Sequence, residues 1–112
     1  MPMTASIDTA ELSNLKEVME DEFEMLISIY LEDTESMIQK MADAIRSGDI
    51  DALKIASHTL KGSSSNMFIL RISQLSKDIE DKAKANELDS ALQVIPELEQ
   101  EFQKVKTLLA EF

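Results

Sequence analysis

The 112-residue chain contains no cysteine and no tryptophan. Without thiols there is neither a disulfide framework nor a thiolate metal site, which fits a reducing compartment, the cytoplasm by default. Only two glycines, two prolines, one tyrosine and four phenylalanines are present. That is little material for the turns and strands of a β fold. Positive charge is scarce as well, with 11 basic residues against 22 acidic ones and a formal charge of -11. Such a balance works against nucleic acid and anionic membrane surfaces and favours protein partners. Nowhere do 18 apolar residues follow one another, and the opening MPMTASIDTAELSN has no basic region leading into an apolar run. Neither a membrane span nor a signal peptide is expected, so the reading is a soluble protein. There is a single histidine.

What is abundant points to helices. Hydrophobic residues make up 44% of the chain, enough for one core in one domain without metal or disulfide support. Ala, Leu, Met, Glu, Lys and Gln dominate, and these are the straight-chain helix formers. Asp8 and Glu11 have the spacing of a capping box and predict a short helix over residues 9–19. Between Glu22 and Arg46, Phe23, Leu26, Ile27, Tyr30, Met37, Ile38, Met41 and Ile45 share one face at 100° per residue. Ser47 and Gly48 end that helix, and Asp49 caps the next, over residues 50–67. Ile72, Leu75, Ile79 and Ala83 predict a helix ending near Asn86. Leu92, Ile95, Leu98, Phe102, Val105 and Leu109 predict a last one over 88–112, with Pro96 kinking it or opening a new segment. The expected fold is all-α, an antiparallel up-and-down four-helix bundle with a short additional N-terminal helix. It forms one domain over 1–112, with residues 1–7 disordered.

The lone histidine lies in ASHTLKGSSSNMF, residues 56–68. With His58 at zero on a helical wheel, Asp51, Lys54, Ile55, Lys61, Gly62 and Ser65 fall within about 60° of it. Leu53, Ala56, Leu60, Ser63 and Met67 lie opposite, so the apolar stripe points away and the imidazole faces solvent. Gly62 costs the helix about 1 kcal/mol relative to alanine and sits on the exposed side, where helix packing does not ask for it. A missing side chain there clears an approach to the ring. Lys61 is a mobile cation one turn away, able to offset charge on a phosphoryl group. Residues 52–77 contain no acid, although the chain is acidic, and carry Lys54, Lys61, Arg71 and Lys77. This is the charge pattern of a site that accepts an anion. Ser63 and Ser64, toward the core, allow close helix approach, whereas Ser65 faces outward and can donate near the site.

At HTLKGSSSNM the sequence resembles the histidine-containing phosphotransfer (HPt) domain family, whose motif is a histidine, two residues, then Lys-Gly and small residues. The resemblance covers essentially residues 9 to 110. It includes Glu22-Phe23, Tyr30-Leu31 with Asp33-Thr34, Ala44 with Gly48-Asp49, Ile79-Glu80, and the closing PELEQEFQKVKTLL. It implies a four-helix bundle of the stand-alone bacterial type that carries phosphoryl groups between receiver-domain aspartates and has no kinase activity of its own. By position, His58 accepts the phosphoryl group, Lys61 stabilises it, Gly62 gives clearance, and Glu80 orients the imidazole or is an ordinary surface glutamate. Ser65 and Lys54 are second-tier candidates around the site. The implied partners are the receiver domains of a hybrid sensor kinase and of a response regulator, with Mg²⁺ on the receiver and no cofactor or metal on this chain. A monomer is expected. One position departs from the family: ten residues after the histidine it usually has glycine, often followed by alanine, whereas here Phe68 and Ile69 stand.

Docking requires apolar surface near the histidine. Ile55, beside His58, is a candidate, as are Met25 and Ile29, which lie off the stripe of their helix unless the first helix covers them. Other readings fit less well. A histidine-kinase dimerisation domain usually has an acid directly after its histidine and a proline a few residues on, but Thr59 and Gly62 follow here, and the rest of the chain leaves no room for an ATP-binding domain. A bundle metal site wants Glu-x-x-His, and position 55 is isoleucine. A helical adaptor without phosphotransfer is the remaining alternative.

Overall fold

The computed structural model describes residues 5–112, and its regular structure is helical throughout. Helix α1 spans Thr9–Met19, and a 3-10 turn over Glu20–Glu22 leads into α2, Phe23–Ser47. Then follow α3, Ile50–Asn66, α4, Leu70–Lys84, and α5, Leu88–Ala110. The links between α2 and α5 are two or three residues long, so consecutive helices turn back on one another. Each of these helices packs on the next and α2 also packs on α5, which closes a four-helix bundle, with α3 and α4 the most closely associated pair. No helix among the described residues is long and apolar enough to cross a membrane.

Local chemistry sets the helix ends. The Asp8 carboxylate accepts from the Glu11 backbone N–H at 3.2 Å, and Asp49 caps α3 by accepting from Ala52 N at 3.0 Å. Gly48 ends α2 in the left-handed region (φ 74°), and the Asp49 N–H reaches back to the Ala44 carbonyl at 2.9 Å.

The core follows the predicted stripes with one exchange. Phe23, Tyr30, Ile38, Met41 and Ile45 of α2, Leu53, Leu60 and Met67 from the α3 stretch, and Ile72, Leu75, Ile79 and Ala83 of α4 are all buried. On α5, Ile95, Leu98, Phe102, Val105 and Leu109 are buried, but Leu92 is exposed. Ala91 and Val94 take the interior positions instead, because the stripe at that end runs through Ala91, Ile95 and Leu98 at spacings of four and three. No new segment begins at Pro96, and α5 continues through it. The carbonyl that proline leaves without an N–H belongs to Leu92, on the exposed face, where water can serve it.

Within the stretch 1–7 expected to be disordered, the described residues Ser6 and Ile7 are held in place. Residues 1–4 lie outside the described part, but Ile7 is buried in the core. Its neighbours pair with the α3–α4 junction: Leu70 N donates to Ser6 O and Asp8 N donates to Phe68 O, each at 2.9 Å. An apolar side chain flanked by satisfied backbone groups is what holds this short strap down. Helix α1 buries Leu12 and is tied to the C-terminus through Lys16, which donates to the Phe112 carbonyl and lies 6.0 and 5.8 Å from the Phe23 and Phe112 ring centres. In this position it leaves Met25 and Ile29 uncovered.

Candidate functional site

The site is built across the α3–α4 pair. Ser57 and Ser64 of α3 and Ser76 of α4 are fully buried, and small side chains let the two helices approach closely. Ser64 also bonds the Tyr30 hydroxyl at 2.7 Å, fixing α3 against α2. Tyr30 is a deeply buried phenol, and burial pushes its pKa up despite the hydrogen bond to Ser64. Ser73 Oγ donates to the Lys61 carbonyl at 3.0 Å, a further tie between α3 and α4.

On α4, Ser73, Ser76 and Glu80 recur at three and four residues along the side that faces α3. Glu80 is therefore drawn into the helix interface and is only 4% exposed, so it is not an ordinary surface glutamate. A buried carboxylate needs partners, and α3 supplies two. His58 Nδ1 lies 2.8 Å from Oε2, and Lys61 Nζ donates to Oε1 at 2.8 Å. Lys84, one turn further along α4, stands 3.8 Å from Oε2. Burial alone raises the Glu80 pKa, but the hydrogen bonds from Lys61 and His58, with the charges of Lys61 and Lys84, outweigh it and hold the carboxyl below its usual value.

An ionised carboxylate only accepts, so His58 Nδ1 must carry the proton and donate. In the neutral ring the other nitrogen, Nε2, is then the one with the lone pair. The histidine side chain is 67% exposed, so with Nδ1 turned to the buried carboxylate, Nε2 is presented to solvent. The hydrogen bond fixes the tautomer that the neutral ring adopts and makes Nε2 its accessible nucleophilic atom.

Gly62 lies on the exposed face one turn beyond His58. A Cβ built there meets nothing within 4 Å, so nothing inside the protein requires glycine at this position. Lys61, Gly62 and Ser65 line an open groove of about 610 Å³ between α3 and α4, whose far wall includes Ser73 and Lys77. Ile55, Met25 and Ile29 are 69%, 67% and 49% exposed. Lys54 is not drawn to the imidazole; its ion pair is with Asp51 at 3.8 Å.

Phe68 adopts φ 59°, in the left-handed region. The chain thus keeps a backbone conformation suited to glycine while carrying a β-carbon there. Its carbonyl receives the Asp8 N–H, and its ring is partly buried.

Sequence reasoning alone did not find the Lys84 contact, the Ser73 tie or the Tyr30–Ser64 bond. Only the last had a visible signal, a tyrosine on a core stripe whose hydroxyl needs a partner.

Known proteins resemble this chain in sequence and in fold. The Hpt domain family matches residues 25–108. The crystal structure of histidine-containing phosphotransfer protein B from Pseudomonas aeruginosa is 33% identical, with a TM-score of 0.91 over 97% of this chain and 95% of that one. The phosphorelay intermediate protein rdeA of Dictyostelium discoideum is 31% identical over 90 residues, 80% of this chain, which spans only 35% of that relative's length. A histidine-containing phosphotransfer protein from maize shares the fold, with a TM-score of 0.80 at 16% identity over 91% of this chain and 88% of that one. The chain belongs to the Hpt domain family.

Proposed function

We propose that this chain is a phosphoryl carrier of a two-component phosphorelay, with Nε2 of His58 as the accepting atom. The observation that carries the reading is the hydrogen bond between His58 Nδ1 and a buried, ionised Glu80, which assigns the lone pair of the neutral ring to the exposed Nε2.

The Nε2 lone pair attacks the phosphorus of an aspartyl phosphate in line. The P–O bond to the aspartate breaks, and the carboxylate leaves with the electron pair. No proton has to leave the ring, because Nδ1 retains its own, and the positive charge that the ring acquires lies against Glu80. The reverse step passes the group to a second aspartate. Positioning and charge stabilisation dominate phosphoryl transfer, so a histidine, a lysine and a clear approach suffice on this side. Mg²⁺ belongs to the receiver domain, and no ATP-dependent kinase activity resides here.

The donor is the receiver domain of a hybrid sensor kinase and the acceptor that of a response regulator. Ile55 offers them apolar surface on the helix that carries the histidine, Met25 and Ile29 offer more on α2, and Gly62 gives them room. The protein acts as a monomer in the cytoplasm. Incubation with a phosphorylated receiver domain tests this: base-stable, acid-labile label should appear on the wild type and be absent from His58→Gln. Absence of label, or label that survives the substitution, contradicts phosphotransfer and leaves a helical adaptor.

A further inference from the structure

The carboxylate of Glu80 has more positive charge around it than orienting an imidazole requires. Facing it are His58 and Lys61 from α3 and Lys84 from its own helix, while Lys77, on the preceding turn of α4, is engaged by Asp81 at 3.0 Å. Lys61 is the close partner of Glu80 at 2.8 Å, whereas Lys84, with a 60% exposed side chain, stands off at 3.8 Å.

A phosphoryl group on Nε2 changes the charge balance, since it brings about two negative charges. One ammonium would then face both that group and a carboxylate that is buried and cannot draw on water. Lys61 sits three residues from His58 on the rim of the open groove and has the freedom to turn outward. Glu80 does not, because its side chain is 6% exposed and Nδ1 must keep its acceptor.

We propose that Lys84 is a positioning residue, which closes on the Glu80 carboxylate when Lys61 turns to a phosphoryl group on His58. The proposal rests on the reading of His58 as the phosphoryl acceptor. Lys84 keeps Glu80 ionised and paired, so that Nδ1 stays protonated while Lys61 serves the phosphate. The competing role is ordinary: a lysine in the last turn of a helix also answers the helix dipole. That role is indifferent to Lys61 and to phosphorylation.

Five proteins separate the two roles: wild type, Lys84→Gln, Lys84→Arg, Lys61→Gln and the Lys61→Gln/Lys84→Gln pair. In the unphosphorylated proteins, the acid titration of the Glu80 carboxyl carbon is followed by NMR. Lys84→Gln should displace the midpoint upward more when Lys61 is absent than when it is present; equal displacement in both backgrounds overturns the proposal. After phosphorylation by a receiver domain that is then removed, Lys84→Gln should lose its phosphohistidine about tenfold faster than wild type, the effect of one lost coupling between neighbouring charges. Lys84→Arg should restore the lifetime. An unchanged lifetime in a fully labelled Lys84→Gln protein refutes the role of Lys84 alone. Failure of the wild type to take label from a phosphorylated receiver domain removes the acceptor reading, and the proposal with it.

Discussion

Replacing Gly62 should make the protein more stable and less active at once. The residue lies inside α3 without a left-handed φ, and a Cβ there meets nothing within 4 Å. Alanine therefore adds no clash and gains the helix-propensity difference, about 0.5–1 kcal/mol. In a domain of this size that raises Tm by about 2–6 °C. Function should move the other way. Helical side chains lean toward the N-terminus, so a side chain at 62 tilts over the turn that carries His58. It would stand where a receiver must bring its aspartyl phosphate within reach of Nε2. Misplacement by about 1 Å costs phosphoryl transfer about a hundredfold, which is the loss expected for Gly62→Gln, with a severalfold loss for Gly62→Ala. Thermal melts followed by circular dichroism and rapid-quench transfer from a phosphorylated receiver read the two effects separately. A fall in Tm for the alanine variant would refute the packing argument, and unchanged transfer rates in both variants would refute the clearance role.

Two further perturbations test other parts of the site. Phe68→Gly and Phe68→Ala both remove a partly buried ring, but only alanine keeps a β-carbon at φ 59°. The glycine variant should be the more stable by about 1 kcal/mol in urea unfolding, and equal stabilities would show that the left-handed backbone carries no strain. Glu80, whose folded pKa lies below the usual 4.5, stabilises the fold most when ionised. The stability advantage of wild type over Glu80→Gln should be fully present above that usual value and be lost as pH falls through the lower folded value. Urea denaturation between pH 7 and pH 3 measures it, and an advantage that stays constant into strong acid contradicts an ionised, paired Glu80.

Much of this molecule is legible in its sequence because helices advertise themselves locally. The Asp8–Glu11 spacing placed α1 at residues 9–19, and Gly48 and Asp49 marked the break between α2 and α3. The wheel turned His58 outward and Leu53, Leu60 and Met67 inward, as the structure has them. What could not be read depends on how the helices meet. Glu80 was singled out by the family resemblance, but its burial was not legible: it stands in KDIEDKAK, where every neighbouring charge suggests a solvated face, and only the close approach of α3 and α4 buries it. Leu92 reads as core by type, yet Ala91 fills the interior because the buried stripe runs through Ala91, Ile95 and Leu98. The strap of Ser6 and Ile7 has no periodicity to betray it, since its hold comes from backbone bonds to the α3–α4 junction. At Phe68 the family's glycine is missing, but the backbone conformation that glycine favours is still there, and no local pattern shows that.

The central claim concerns one atom, the Nε2 nitrogen of His58, freed for attack because Nδ1 is committed to Glu80. Nitrogen-15 and phosphorus-31 NMR of the phosphorylated, ¹⁵N-histidine-labelled protein tests it directly, because the single histidine gives one assignable ring. Phosphorus coupled to Nε2, with the proton still on Nδ1, is the predicted result. A phosphoryl group on Nδ1, or on any residue other than His58, would contradict the account.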